Sequence, residues 1–478
     1  MRSYLHSHNL LHTFAVYALI IVTGALAGYY AVKIITAGLL LHETITSIRY
    51  LSNGVHVSLF IIGIILVSYT LFPQGRKNIF QPQTLGVIVM SIIWLLGIIN
   101  CYISEKVFPT FRISMTNTHY YWGACMIFFL IGCRLTTGKV VSPVKKLYSW
   151  DRGRLCFITL VIFAFSTLGT VYAIHKIGLI PIFKKGGIEL ARFDYSEQVG
   201  RVWHVSMCGT VSAILAAVYM MRFKKRYVTM SVVCLISLFN TLIYGQRFCA
   251  VMGLAVILLT YHYYVKRITL KFLVPLFGGL LAALTVYIYK RYGMYIREIE
   301  HLSFIEKIFY FSSTEWRELA WAIENYSDYK DFLWGKSLIN IIIPALPTQI
   351  WALAGIDKAH YLSINSAALL MNIRGFYAGL RVGLPGEFYL NFGYFGILCM
   401  IPLGYLFGII GNMANRLDRN DARLVLLNFV LFNLVFGFIG QINTIFETLY
   451  RFGYILLFVL IVCIHRSTTQ DAATRQTQ

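Results

Sequence analysis

Residues 228–265 read VTMSVVCLISLFNTLIYGQRFCAVMGLAVILLTYHYYV. Two apolar runs, 228–244 and 248–265, are separated by Gly245, Gln246 and Arg247 alone. Each run is about long enough to cross a hydrocarbon core of roughly 30 Å as a helix. Both runs are continuous, without the apolar–polar alternation of a membrane barrel strand, so they predict helices. The stretch reads as a tight hairpin of two membrane helices with a guanidinium at its tip.

The same pattern extends over the whole chain. Its 478 residues are 58% hydrophobic and 13% charged, with a mean hydropathy of +0.66, a balance no ordinary soluble domain has. Twelve spans are predicted, at 11–32, 55–73, 85–103, 117–135, 155–176, 203–221, 228–244, 248–265, 270–289, 386–411, 422–440 and 449–465. The expected fold class is all-α: a polytopic membrane protein of about twelve transmembrane helices. Residues 1–154 carry the first four helices, and 155–289 carry helices five to nine with a basic outer loop. A large loop covers 290–385, and 386–478 hold the last three helices and a tail. The first run is long enough to span and lacks a small-residue cleavage pattern, so it reads as a span, not a cleaved signal peptide. The nine cysteines stand singly and read as small apolar core residues.

Charge sets the orientation. With both termini cytoplasmic, the inside segments 1–10, 74–84, 134–154, 222–227, 266–271, 412–424 and the tail hold 21 Lys and Arg. The short outside segments 33–54, 104–116, 245–247 and 441–451 hold 6. Short basic loops resist translocation, so the large loop is expected on the outer face. RFKKRY (222–227) and KKLYSWDRGR (145–154) are the clearest cytoplasmic anchors. The other 15 of the 42 basic residues lie in 176–202 and 290–385, on the far face, where topology does not ask for them. With a net charge of +22, that excess calls for an anionic partner there. A lipid headgroup or lipid-linked phosphate at the bilayer fits; no nucleic-acid motif is present.

Candidate residues follow from this face. Arg247 is either an interfacial anchor or a fixed fork that binds phosphate bidentately. Lys290 and Arg291, at the end of span nine, carry the same two readings. In the loop, STEWRELAWAI (313–323) predicts a capped amphipathic helix with Glu315 in its first turn. The aromatic residues around it form either an interfacial belt or a platform for sugar rings. The loop ends with Arg374, Arg381 and GEFYLNFGYFG, where Glu387 opens span ten and Tyr389 and Asn391 follow. Glu387 and Asn391 share one helix face at i and i+4, and Glu387 either pairs with Arg381 or works as a base. Arg192, next to Asp194, and His360 complete the outer set, and either could be merely structural. His, Cys and carboxylates do not cluster at ligand spacing, so neither a metal nor a cofactor is expected, and no nucleotide-binding motif occurs.

In combination, five stretches resemble the Wzy-type polymerases of O-antigen and enterobacterial common antigen repeat units. They are GLIPIFKKGGIELARFDYSEQ, IYGQRFCAVMGLAVILL, YIYKRYGM, STEWRELAWAIENYSDYKDFLWGKSLINIIIPALP and GEFYLNFGYFG, which together fall within roughly 175–410. The resemblance implies a glycosyltransferase of the bacterial inner membrane with its site facing the periplasm. Its substrate would be an undecaprenyl-diphosphate-linked oligosaccharide, transferred to the sugar hydroxyl of the next lipid-linked unit. On this reading Arg247, Arg291 and Arg381 stabilise the departing diphosphate and Glu387 accepts the hydroxyl proton, with His360 in reserve. Arg192, Arg374, Lys290, Tyr389 and Asn391 would bind substrate. A partner copolymerase that sets chain length is also implied. An O-antigen ligase, a lipid-linked oligosaccharide flippase and a membrane O-acyltransferase stay open. The last would need a histidine deep in a span, whereas His204 and His262 lie near span ends.

Overall fold

The computed structural model describes residues 81–107, 115–136, 147–177, 199–200, 202–242, 247–268, 314–329, 331–364, 381–417, 421–440 and 442–467, together with 302, 306, 310 and 369. The expected spans 11–32, 55–73 and 270–289 lie outside the described residues.

The other nine expected spans are helical. In chain order, α1 (Pro82–Val107) and α2 (Met115–Leu135) are followed by a short strand, β1 (Leu147–Trp150), and by α3 (Arg152–Ile177). Then come α4 (Val202–Met207), α5 (Gly209–Phe223), α6 (Tyr227–Leu242) and α7 (Arg247–Tyr264). The large loop contributes α8 (Thr314–Tyr329), two 3-10 turns (Lys336–Ile341 and Ile343–Ala345), α9 (Thr348–Leu353) and α10 (Lys358–Ser363). The chain continues with α11 (Gly383–Phe392), a 3-10 segment (Gly393–Cys399), α12 (Met400–Arg416), α13 (Arg423–Phe436), α14 (Ile442–Cys463) and β2 (Ile464–Ser467). Five stretches are long and apolar enough to cross a membrane: Pro82–Cys101, Arg152–Ile177, His204–Phe223, Gly383–Arg416 and Ile445–Cys463. Large apolar side chains such as Phe157, Phe165, Leu168, Leu235, Phe458 and Ile461 are exposed on these helices and on α6, as lipid-facing residues would be.

Two sequence expectations change. Span 203–221 keeps its helical course, with Cys208 between α4 and α5 in the right-handed region at φ −60, ψ −11. Span 386–411 is broken, because Gly393 closes α11 with φ 58 and the chain winds as a 3-10 segment before α12 resumes. The all-α expectation also missed one element: β1 and β2 pair antiparallel, Leu147 opposite Ser467 and Trp150 opposite Ile464. That ribbon closes one end of the bundle.

Packing uses small residues, as expected where lipid removes the hydrophobic drive between helices. Gly404 and Gly408 on α12, spaced as GxxxG, lie against α2; a Cβ at Gly404 would be 2.0 Å from the Phe129 carbonyl oxygen. Polar side chains join the other helices. Asn240 Nδ2 donates to Ser166 Oγ (3.3 Å) and Thr167 Oγ1 (3.1 Å), and Ser166 Oγ donates to the Ser206 carbonyl (2.7 Å). Two large apolar cores result among the described residues. One joins α1, α2, α8, α11 and α12; the other joins α3, α5, α6, α7 and α14. Helix α13 belongs to both, Leu431 and Leu434 facing the first and Val425 and Phe429 the second.

The two ends of the bundle differ. At one end, Asp151 N donates to Cys463 O (2.6 Å), Ala422 N to Tyr148 O (2.8 Å) and Tyr264 Oη to Asp421 O (2.9 Å). These bonds gather segments expected to be cytoplasmic. At the other end, the loop elements sit on the ends of α1, α2, α11 and α14. Helix α8 packs Trp316 over Gly97, while Tyr450 Oη and Tyr454 Oη donate to the carbonyls of Ile341 (2.8 Å) and Ala345 (2.7 Å).

Candidate functional site

The broken helix organises the site. A helix that stops at Phe392 leaves its last carbonyls without intrahelical donors, which is costly inside a membrane. The loop supplies them: Leu333 N donates to Leu390 O (3.0 Å) and Trp334 N to Asn391 O (2.9 Å). Trp334 and Gly335 take the left-handed conformation, φ 49 and 86, and so turn the chain from this contact into the 3-10 helix beginning at Lys336. The turn carries Ser337 and Asn340, one 3-10 turn apart, on one face.

Ser337 Oγ donates to Glu387 Oε2 at 3.0 Å. Asn391 Nδ2 donates to Ser337 Oγ and to the Glu387 carbonyl, both at 2.7 Å. The shared face expected for Glu387 and Asn391 is therefore present, one turn apart on α11. Glu387, Asn391, Ser337 and Asn340 are each 0% exposed, so a carboxylate sits sealed in the break. Two amide oxygens beside it, Asn391 Oδ1 and Asn340 Oδ1, are buried without a hydrogen-bond partner. Above the cluster, burial, Asp331 and Glu387 together push the Tyr326 phenol up to about 12.

Arg381 does not pair with Glu387. Its carboxylate neighbour is Glu315, with Nε 3.8 Å from Oε1, so the arginine reaches from the start of α11 to the first turn of α8. Burial holds the Glu315 carboxyl above the usual carboxylate range, against the pull of Arg381. Its neighbour Arg317 bonds Glu318 Oε1 through Nη2 (2.6 Å) and Nε (2.9 Å), and Ser104 Oγ on α1 through Nη1 (3.2 Å). The helix forecast from STEWRELAWAI is thus anchored by charge as well as packing. Its rings serve the interior and not an interfacial belt: Trp316, Trp321 and Tyr326 are buried against the helix ends.

Other candidates separate. Tyr389 is buried with its ring edge-on to Tyr121, Phe332 and Tyr394, and its hydroxyl points to the Ile323 carbonyl (3.4 Å), which makes it a packing residue for α8. His360 is exposed on α10, edge-on to Tyr361. The structure thus places it on the loop's surface, outside the sealed cluster. Arg247 begins α7, and Phe248 beside it lies 4.2 Å from Phe436 at the end of α13. Leu384 N donates to Gly437 O (2.8 Å), so the starts of α7 and α11 share one end of the bundle. Arg192, Arg291, Arg374 and Lys290 lie outside the described residues.

No family model matches this chain, and no curated protein or solved structure is significantly similar to it.

Sequence reading missed Ser337 and Asn340. Both sit in the apolar stretch SLINIII with no local signal beyond two polar residues three apart. Glu315 reads in sequence only as a first-turn acid, and nothing in its polar flank Ser312–Thr314 signals that it is buried.

Proposed function

We propose that the protein is a membrane glycosyltransferase acting on lipid-diphosphate-linked oligosaccharides, joining repeat units into a surface polysaccharide on the periplasmic face of the bacterial inner membrane. The observation that carries this reading is the junction of loop and broken helix. There a carboxylate, Glu387, is held by Ser337 and Asn391 at the same bundle end as Arg381 and the start of α7. In this reading the arginines neutralise the diphosphate as it leaves, which lowers the barrier without a proton on the leaving group. Glu387 takes the proton of the attacking sugar hydroxyl as the new glycosidic bond forms and the anomeric carbon–phosphate bond breaks. Asn391 and Ser337 position the carboxylate. The buried amide oxygens of Asn340 and Asn391 suit sugar hydroxyl donors. The resemblance of 175–410 to Wzy-type polymerases supports the same assignment, with an undecaprenyl carrier and a copolymerase partner.

One observation favours a second reading. Interrupted membrane helices with polar groups at the break are how many transporters build their substrate sites, so the lipid-linked oligosaccharide could be moved and not extended. Purified protein in liposomes, given an undecaprenyl-diphosphate-linked repeat unit, separates the two. A ladder of lengthening products that Arg247→Ala abolishes supports polymerisation. Movement of the lipid between leaflets with no ladder would establish the transport reading instead.

A further inference from the structure

The contact that ties α8 to α11 is looser than two other arginine–carboxylate pairs among the described residues. Arg423 bonds Asp421 through Nε at 2.9 Å and Nη2 at 2.6 Å, and Arg317 bonds Glu318 equally closely. Arg381 comes only within 3.8 Å of Glu315, too long for a hydrogen bond. The Arg381 side chain is 37% exposed, whereas Glu315 is 3% exposed. Glu315 Oε2 is buried without a hydrogen-bond partner. An arginine with five N–H donors thus stands half open to solvent, held by a carboxylate that does not use them.

We propose that Glu315 is a placeholder anion, which a phosphate-bearing ligand displaces from Arg381, releasing the loop helix α8 from its closed position. This rests on the lipid-diphosphate reading above and adds the regulation of that site. A phosphate carries more charge than a carboxylate and fits the guanidinium fork bidentately, so it wins the arginine. Glu315 would then be a buried charge with its strongest partner gone. A buried carboxylate without that partner is costly, so the segment that carries it moves out towards solvent; no covalent bond changes. The charged groups around it are Arg381, Arg317 and Glu318, while His119 on α2 faces the adjacent Trp316. Burial already penalises the Glu315 carboxylate, against the pull of Arg381, and losing Arg381 adds to that cost. Loosening Glu315 frees the first turn of α8, and α8 covers the cluster around Glu387. Binding of the lipid diphosphate would therefore open the carboxylate to the acceptor sugar.

The test uses the full chain in detergent micelles, with inorganic diphosphate as probe. Binding and amide hydrogen exchange over 314–329 are measured in parallel. In the wild type, the probe should bind and exchange in 314–329 should rise. Glu315→Gln should bind about two- to fivefold tighter, the range of a partly exposed ion pair, and, carrying no buried charge, should show no rise in exchange when the probe binds. Glu324→Gln, which removes a charge from the exposed face of the same helix, should behave as wild type. Arg381→Lys, which keeps the charge and loses the fork, should bind weakly and show no exchange response. If binding needs Arg381 while exchange in 314–329 never changes and Glu315→Gln matches wild type, the placeholder is wrong and the diphosphate reading survives. If no variant binds diphosphate, both are wrong.

Discussion

Replacing Gly383 by alanine should be among the most damaging single-methyl changes in the protein. Gly383 begins α11 with φ +63, in the left-handed region, and a Cβ there would lie 2.2 Å from the Phe438 carbonyl oxygen. Two costs combine. The left-handed backbone costs a non-glycine residue about 1–2 kcal/mol. Forcing a methyl against a fixed carbonyl adds about 1–3 kcal/mol, because that oxygen belongs to main chain and cannot rotate away. The sum is roughly 2–5 kcal/mol. Gly355 is the internal control. It also has positive φ, +71, but a Cβ there meets nothing within 4 Å, so Gly355→Ala should cost only the conformational part, about 1–2 kcal/mol. Thermal unfolding of both variants in the same detergent, followed by intrinsic fluorescence, gives the comparison. Gly383→Ala should unfold at clearly lower temperature than Gly355→Ala. It should also lose activity, since it displaces the segment from Arg381 to Asn391. Equal unfolding temperatures, or a milder effect at Gly383, would refute the close seating of α11 on α13.

Two more outcomes follow from the same geometry. Gly404→Leu should disrupt the α2–α12 contact and yield little folded protein, whereas Gly153→Ala, at an open position, should be neutral; expression followed by size-exclusion profiles in detergent checks this. The raised carboxyl of Glu315 makes the attachment of α8 pH-dependent. A carboxyl whose folded value lies above its unfolded value holds its proton better in the folded state. Its contribution is complete below the unfolded pKa and is lost as pH rises through the folded one. Hydrogen exchange in 314–329 should therefore speed up as pH rises through the range above ordinary carboxylates, after correction for intrinsic exchange. Glu315→Gln should remove that dependence.

The sequence announces what is local and repetitive. Long apolar runs name nine helices that the structure contains, and the Ser/Thr–Glu start of 313–323 names the loop helix correctly. Glu387 and Asn391 fall on one face because their spacing is a helix turn. What it conceals is long-range. The break at Gly393 is invisible to hydropathy, because the apolar window continues across it. The donors that make the break tolerable, Leu333 and Trp334, lie in a different part of the chain. Choosing Glu315 over Glu387 as the carboxylate beside Arg381 needs the fold, since Glu387 is much nearer in sequence. The β1–β2 ribbon joins two four-residue segments from distant parts of the chain, too short to stand out in either place.

The central claim is that Glu387, in the break of the helix and on the arginine-bearing end, accepts a proton as lipid-linked sugar chains are joined. Single-turnover ladder formation by Glu387→Gln, compared with its binding of the lipid-linked repeat unit, tests it most directly. Glutamine keeps the size and the Ser337 contact but cannot take the proton. The rate should fall by about 10²–10⁴-fold with binding nearly unchanged. A ladder formed at the wild-type rate would contradict the claim.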